Sequence, residues 1–264
     1  MNEDLDLLCD VAHEAGRLAL SLQETDLKIW RKEGGSPVTN ADLAADELIK
    51  ARLRAARPDY GWLSEETADD RSRFSARRLF MVDPIDGTAA YMKGRPWWTV
   101  SVAVVEDGVA LAGVIYAPRL EETYEAKRGG GARLNGKTIH ASTCTELESC
   151  AMLGPQGAFT DWGGAQPWPQ MRIENRNSIA LRMALVAAGA FDAAVALSPK
   201  NDWDIAAGLV IAGEAGAITT DHKGRTLRLN GESVVHPSLV CAAPALHPLI
   251  LQRTAPIDLP PIAD

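Results

Sequence analysis

Two carboxylates three positions apart, Asp83 and Asp86, end an apolar run in the stretch Leu79-Phe80-Met81-Val82-Asp83-Pro84-Ile85-Asp86-Gly87-Thr88. Acids this close repel one another at a strand end unless they share a cation. Pro84 stiffens the exit, Gly87 permits a backbone conformation other residues resist, and Thr88 brings a hydroxyl to a place where a helix can begin. Other candidate ligands are the Glu65–Glu66 pair, Asp204 and the backbone carbonyl of Ile85. Hard oxygen donors without His or Cys nearby select Mg²⁺, Mn²⁺ or Ca²⁺ over zinc. So many carboxylates suit two or three ions better than one Mg²⁺ that keeps its waters. Metals bridged by a carboxylate at about 3.5–4 Å can clamp the attacking and leaving oxygens of an in-line displacement. The same residues admit simpler readings. Asp83 and Asp86 could form turns around Pro84 and Gly87, Asp204 could cap a helix, and Thr39 with Asp42 matches a capping box.

The elements around these residues follow from periodicity. Leu8, Val11, Ala12, Ala15, Leu18 and Leu22 predict an amphipathic helix over 4–22, and a second helix opens at 38–42 and runs to about Arg54. Between them, Lys32-Glu33-Gly34-Gly35-Ser36-Pro37 has the composition of a hinge. Strands are expected over 79–82, 99–105, 109–116 and 122–127, with Asn135-Gly136 closing a further hairpin. Gly129-Gly130-Gly131 lacks the Lys-Ser/Thr of a phosphate-binding P-loop. Past a change of character at 145–152 come a strand over 151–154, a Pro/Gly/Trp-rich loop over 155–170 that could border a site, and a helix over 178–188 ended by Gly189. A strand at 193–197, a helix at 205–214, strands near 217–220 and 239–242 and a short terminal helix complete the chain, with a frayed tail after Thr254. Antiparallel strands fill the first half, and helix and strand alternate in the second. This predicts two subdomains, 1–148 and 149–264, with a cleft between them.

Composition narrows the partners. A 264-residue chain with 46% hydrophobic and 23% charged residues has enough apolar material for a substantial core. Its net charge of -8 disfavours nucleic acid, which wants a basic surface, but a local metal can still admit a phosphorylated small molecule. Cys9, Cys144, Cys150 and Cys241 are scattered, without zinc or disulfide spacing. The acidic N-terminus lacks a signal-peptide pattern and no apolar run reaches ~18 residues, so a cytoplasmic protein without a membrane span is expected.

Asp83-Pro84-Ile85-Asp86-Gly87-Thr88, followed by Tyr91, closely resembles the signature of the inositol monophosphatase superfamily. Ser36-Pro37-Val38-Thr39-x-x-Asp42, Ser64-Glu65-Glu66 and Trp203-Asp204-Ile205-Ala206-Ala207-Gly208 resemble its other blocks in the same order. The resemblance implies a layered αβαβα sandwich, usually homodimeric, and a lithium-sensitive phosphomonoesterase working with two or three Mg²⁺, Mn²⁺ able to substitute. By motif position Glu65, Asp83 and the Ile85 carbonyl would bind one ion. Asp83, Asp86 and Asp204 would bind another, and a third would sit near Glu65. Glu65 and Thr88 would orient the attacking water, with Asp42 bonded to Thr88. Gly87 and Thr88 amides, beside Asp86, suit the phosphate. Substrate choice is less legible. The inositol-specific branch carries a Glu seven positions before its last Asp, whereas this chain has Leu197 there. Arg182, at a position often basic in nucleotidases of the family, and Lys200 could meet a second phosphate. The expectation is a 3′(2′),5′-bisphosphate nucleotidase, acting on a substrate such as 3′-phosphoadenosine 5′-phosphate, with an inositol, histidinol-phosphate or sugar phosphatase as alternatives. A metal-stabilised metabolite-binding protein without turnover is the non-enzyme alternative.

Overall fold

The computed structural model describes residues 2–32, 35–159 and 166–261. Glu33 and Gly34 of the expected hinge, 160–165 of the expected border loop and 262–264 of the tail lie outside the described residues. The chain opens with helix α1 (Asn2–Thr25), a short antiparallel pair β1 (Ile29–Arg31) and β2 (Pro37–Thr39), and helix α2 (Asn40–Ala56). That pair occupies the flanks of the expected hinge. Three exposed residues in β1 give too short an alternation to stand out from a polar loop.

A seven-stranded sheet follows in chain order: β3 (Gly61–Ser64), β4 (Arg78–Asp86), β5 (Thr99–Glu106), β6 (Val109–Ala117), β7 (Glu122–Lys127), β8 (Ala132–Leu134) and β9 (Lys137–Ile139), with α3 (Thr88–Tyr91) between β4 and β5. All neighbours are antiparallel except β3 and β4, which are parallel. Asn135 and Gly136 both take positive φ, 48° and 77°, as a two-residue hairpin between β8 and β9 requires. The second half contributes β10 (Ala151–Leu153), β11 (Arg172–Glu174), α4 (Ile179–Ala187), β12 (Ala193–Ala196), β13 (Lys200–Asn201), α5 (Asp202–Glu214), β14 (Ile218–Thr220), β15 (Val235–His236), β16 (Leu239–Ala242) and α6 (His247–Thr254). Five of these strands form a mixed sheet in the order β11-β10-β12-β16-β14, and β13 pairs with β15 apart from it.

Alternation along the strands stacks five layers. On β5, Val100, Val102 and Val104 pack with Phe80 and Val82 against Leu8, Val11 and Ala15 of α1 and Ala45, Ile49 and Leu53 of α2. The intervening residues Ala103 and Val105 face the other way, with Leu79 and Met81, onto Leu181 and Met183 of α4 and Ile205 and Ile211 of α5. Those two helices cover Leu153, Ala194, Ala196, Leu239 and Cys241 of the second sheet. Its reverse face, with Met152, Val195 and Val240, packs under Leu246 and Ile250 at α6. The order is therefore α1/α2, sheet, α4/α5, sheet, α6: the αβαβα sandwich that the motif resemblance implies. No helix among the described residues is long and apolar enough to cross a membrane.

Two buried histidines tie down the C-terminal layer. His247 Nε2–H donates to Thr220 Oγ (2.9 Å), whose own hydroxyl donates to the Asp221 carbonyl (2.8 Å). His222 Nε2–H donates to the Ile257 carbonyl (3.1 Å), while Nδ1 sits 2.7 Å from Ser238 Oγ. Burial lowers the pKa of both rings, so the unfolded state binds their protons more readily. The stability they contribute is complete above the ordinary histidine range near 6.5 and is lost as pH falls below it. With saturating Mg²⁺ in every arm, we expect the melting temperature to drop between pH 7 and 5. In a His222→Gln/His247→Gln variant the drop should be shallower, measured by thermal denaturation across that range.

Candidate active site

The geometry of the opening motif begins with β4, which does not stop at Val82 but runs on through Asp86. Its pairing with β5 shifts between Asp83 and Asp86, so Pro84 and Ile85 fall in an irregularity of the ladder where a missing N–H is tolerated. Gly87 then turns the chain at φ 94°, and a Cβ there would come within 2.9 Å of the Trp97 carbonyl oxygen and 3.1 Å of Ser178 N. Only glycine fits both the angle and the space. Tyr91 pins the short helix from below, its hydroxyl donating to the Ala19 carbonyl at 2.7 Å.

Seven elements or their ends meet over this turn. An open cleft of about 370 Å³ is lined by Glu65 after β3, Asp83, Ile85, Asp86, Gly87 and Thr88 at β4–α3, and Lys200, Asn201 and Asp204 at β13–α5. Ser36, Pro37, Ala89, Asn177 and Ile179 complete the wall. The structure therefore gathers eight of the ten sequence-predicted site residues on one surface: Glu65, Asp83, Ile85, Asp86, Gly87, Thr88, Lys200 and Asp204. The other two stand behind it. Asp42 lies beneath Thr88, accepting its hydroxyl at 3.2 Å, and Arg182 is buried on α4, where Nε donates to the Arg176 carbonyl at 2.6 Å.

Asp42 combines both roles the sequence left open. One oxygen, Oδ2, accepts from Thr39 N (2.8 Å) and Thr39 Oγ (2.6 Å), closing the capping box of α2, while Oδ1 accepts the Thr88 hydroxyl. Asp204 is not the N-cap of α5, as a simple reading of its position suggests. Asn201 is the cap, and Asp204, three residues on, accepts Asn201 N at 2.8 Å from the helix's first turn. The helix starts at Asp202 rather than 205 because this box extends it by one turn.

The cleft concentrates negative charge. Burial first, then Glu65, Asp86 and Asp204, drives the Asp83 carboxyl well above the usual carboxylate range. Burial, countered by bonds from Ser178 Oγ (2.5 Å) and Ala180 N (2.7 Å), leaves Asp86 at about 6. Burial and the Asp86 charge push Asp204 up to about 8. Lys200 offsets the Asp204 charge only in part: its ammonium donates to Ser198 Oγ (2.9 Å) and the Pro199 carbonyl (2.8 Å), and burial lowers its pKa.

Sequence reasoning missed three participants. Lys32 bonds Glu65 Oε1 (3.1 Å) and Glu66 Oε1 (2.7 Å). Burial opposes its charge, but the two carboxylates outweigh that and raise its pKa. Burial lifts Glu66 to about 7 despite this partner. Ser178, the N-cap of α4, donates to Asp86 and joins the two halves of the chain at the site. A fully buried Arg73 reaches the loop before β15, donating to Asn230 Oδ1 and the Gly231 carbonyl (3.1 Å). Asn230 N in turn donates to Asp202 Oδ2 (2.7 Å) at the start of α5. A lone Lys, Ser or Arg in a polar stretch carries no periodic signal.

Among the described residues no three acidic, histidine or cysteine side chains already form a cage for one ion. The donor set nevertheless suits a hard cation. Asp83 has one oxygen bonded to Ile85 N (3.1 Å), and neither Asp83 Oδ2 nor Asp204 Oδ1 meets a protein donor among the described residues. Oxygen atoms alone supply the charge, and the mutual repulsion that raises these carboxyls is what a divalent ion would relieve.

The family model for the inositol monophosphatase family matches residues 1–258. A histidinol-phosphatase of Chlorobaculum parvum is 34% identical over 89% of this chain and 92% of its own length. A fructose-1,6-bisphosphatase/inositol-1-monophosphatase of Thermotoga maritima is 38% identical over 71% of this chain and 72% of its own. Among solved structures, an IMPase of Thermotoga maritima superposes with a TM-score of 0.83 at 31% identity, covering 96% of both chains.

Proposed function

The chain belongs to the inositol monophosphatase family and is a phosphatase acting on phosphate monoesters, and from that premise we propose that it hydrolyses a small phosphorylated metabolite with Mg²⁺ as its ion. The observation that carries this reading is the convergence of Glu65, Asp83, Asp86 and Asp204 with Thr88 on one cleft. Glu65, Asp83 and the Ile85 carbonyl would hold one ion, Asp83, Asp86 and Asp204 a second, and Glu65 would border a third. Mn²⁺ would serve in place of Mg²⁺. When bound, such ions supply positive charge to the phosphoryl oxygens and activate water. Thr88, its hydroxyl shared between Asp42 Oδ1 and the Ile85 carbonyl (3.1 Å), orients the attacking water together with Glu65. Asp86, Gly87 and Thr88 form the floor on which the phosphate rests. Release of phosphate from inositol 1-phosphate on adding Mg²⁺, abolished by EDTA and inhibited by Li⁺, tests the reading. A protein that only bound the ester would release none.

Substrate choice rests on the wall formed by Lys200, with Arg182 behind it. Both lie close enough to Asp86 to feel its charge, and burial lowers both pKa values. We infer that a second phosphate would turn Lys200 from its Ser198 and Pro199 partners, as a 3′(2′),5′-bisphosphate nucleotide requires. The relatives bear names for different substrates, so the rates must decide. Against 3′-phosphoadenosine 5′-phosphate, inositol 1-phosphate, histidinol phosphate and fructose 1,6-bisphosphate, we expect the bisphosphate nucleotide to have the highest kcat/KM. Lys200→Ala should reduce that value about tenfold, through one charge-assisted contact, and change inositol 1-phosphate turnover far less. Equal kcat/KM for the nucleotide and inositol 1-phosphate would remove this assignment. A homodimer is proposed on the resemblance alone, and light scattering at working concentration checks it.

A further inference from the structure

Helix α2 approaches the cleft from beneath at two points, one helical turn apart. Asp42 supports Thr88, and Asp46 lies on the same face under the turn that carries Glu65 and Glu66. Asp46 is only 6% exposed, and its neighbours on that face are Ala45, Ile49 and Leu53. Packing alone would favour an apolar side chain here, because a buried carboxylate must be compensated by hydrogen bonds. Its oxygens accept two hydroxyls: Ser64 Oγ bonds Oδ1, and Thr67 Oγ bonds Oδ2 at 2.8 Å. Ser64 and Thr67 bracket Glu65 and Glu66 in sequence. Ser64 Oγ also accepts from Glu66 N at 3.4 Å, so the carboxylate reaches the backbone of the acidic pair through one hydroxyl. Donating to a carboxylate polarises that hydroxyl and strengthens it as an acceptor.

We propose that Asp46 is a positioning residue that aims Glu65 into the cleft. Glu65 and Glu66 compete for one cation, Lys32, which bonds both. The backbone between Ser64 and Thr67 decides which carboxylate faces the cleft and which faces only the lysine. Anchoring both ends of this turn on α2 leaves Glu65 in the cleft wall and Glu66 withdrawn. Asp46 does not line the cleft, so it acts through Glu65. The inference rests on the ion-holding and water-orienting role given to Glu65 above.

The test compares Asp46→Ala, Asp46→Asn, Glu65→Gln and the double variant Asp46→Ala/Glu65→Gln in the full chain. Readouts are kcat and KM on inositol 1-phosphate, the Mg²⁺ concentration giving half of the thermal stabilisation by Mg²⁺, and the far-ultraviolet circular dichroism. Loss of a group that orients a metal ligand costs about 10–100-fold in affinity or activity. Asp46→Ala should therefore lower kcat and raise the Mg²⁺ midpoint by about that factor, with KM and the spectrum little changed. Asp46→Asn should restore most of both, since its amide can accept one hydroxyl and donate to the other. In the Glu65→Gln background Asp46→Ala should cost nothing more in kcat. Additive losses, or an unchanged Mg²⁺ midpoint in Asp46→Ala, would overturn the proposal. If Asp46→Ala fails to fold, Ser64→Ala and Thr67→Val each remove one anchor, and unchanged midpoints in both overturn it equally. A fully active Glu65→Gln overturns the proposal together with the role assigned to Glu65. An impaired Glu65→Gln beside an unaffected Asp46→Ala overturns the anchoring alone.

Discussion

Asp83→Asn is expected to lower Mg²⁺-dependent turnover by about a thousandfold or more while raising the stability of the metal-free protein. The two effects have one cause. Asp83 is the carboxylate shared between both proposed ion positions, so an amide there weakens both at once. In the absence of ions the same carboxylate is a liability. It is 1% exposed, and burial together with Glu65, Asp86 and Asp204 raises its pKa well above the unfolded value. A carboxyl raised in the folded state costs stability at every pH above its unfolded pKa and is relieved as pH falls, so its ionised form opposes folding at neutral pH. Asparagine keeps the side-chain oxygen that accepts Ile85 N and removes the charge. Each kcal/mol recovered raises the melting temperature by about 2–4 °C in a chain of this size. Differential scanning fluorimetry in EDTA and in Mg²⁺ reads both sides: the variant should melt higher than wild type in EDTA and gain little on adding Mg²⁺. A variant that melts lower in EDTA and still gains fully from Mg²⁺ would show that Asp83 neither suffers this repulsion nor serves the ions.

What the sequence made legible divides along the range of the forces involved. Alternation along Thr99–Glu106 and the helical spacing of α1 are local, and both elements formed where periodicity placed them. The turn motif was equally local, because Asp83, Asp86, Gly87 and Thr88 lie within six residues, whereas Glu65 and Asp204 reach the same cleft only through the fold. Other features needed distant partners. The run of β4 through Asp86 depends on pairing with Thr99, whereas the early start of α5 rests on a local box between Asn201 and Asp204 that the helical spacing alone did not reveal. Lys32, Ser178 and Arg73 are placed by contacts with residues 33, 92 and 157 positions away, respectively, and no window along the chain reports such distances. Asp46 was hidden differently. On sequence it is one more acid on an amphipathic helix, and only the hydroxyls of Ser64 and Thr67 closing on it give the buried charge a purpose.

Thr88→Ala separates chemistry from ion binding in the same site. Its hydroxyl lies 3.2 Å from Asp42 Oδ1 and 3.1 Å from the Ile85 carbonyl oxygen. With Asp42 accepting two bonds from Thr39 as well, the carboxylate is fixed in place and can hold the Thr88 oxygen towards the cleft. The Thr88 side chain supplies no charge, so the carboxylates that hold the ions keep their full set in the alanine variant. Positioned proton-transfer groups contribute about 10²–10⁴-fold, and the expected loss in kcat falls at the lower end of that range because Glu65 remains. The melting-temperature gain from Mg²⁺ should be unchanged, and KM should move little, since a loss confined to kcat removes an interaction made in the transition state rather than in substrate binding. Thr88→Ser keeps the hydroxyl and should recover most of the rate, whereas Thr88→Val keeps the shape without the hydroxyl and should not. Asp42→Asn extends the argument one bond further. Losing the carboxylate that orients the hydroxyl should reproduce much of the Thr88→Ala defect, and adding it to Thr88→Ala should cost little more if the two act in series. Full additivity in that cycle would mean that Asp42 serves only the capping box of α2, and the water-orienting role would then rest on Glu65 alone.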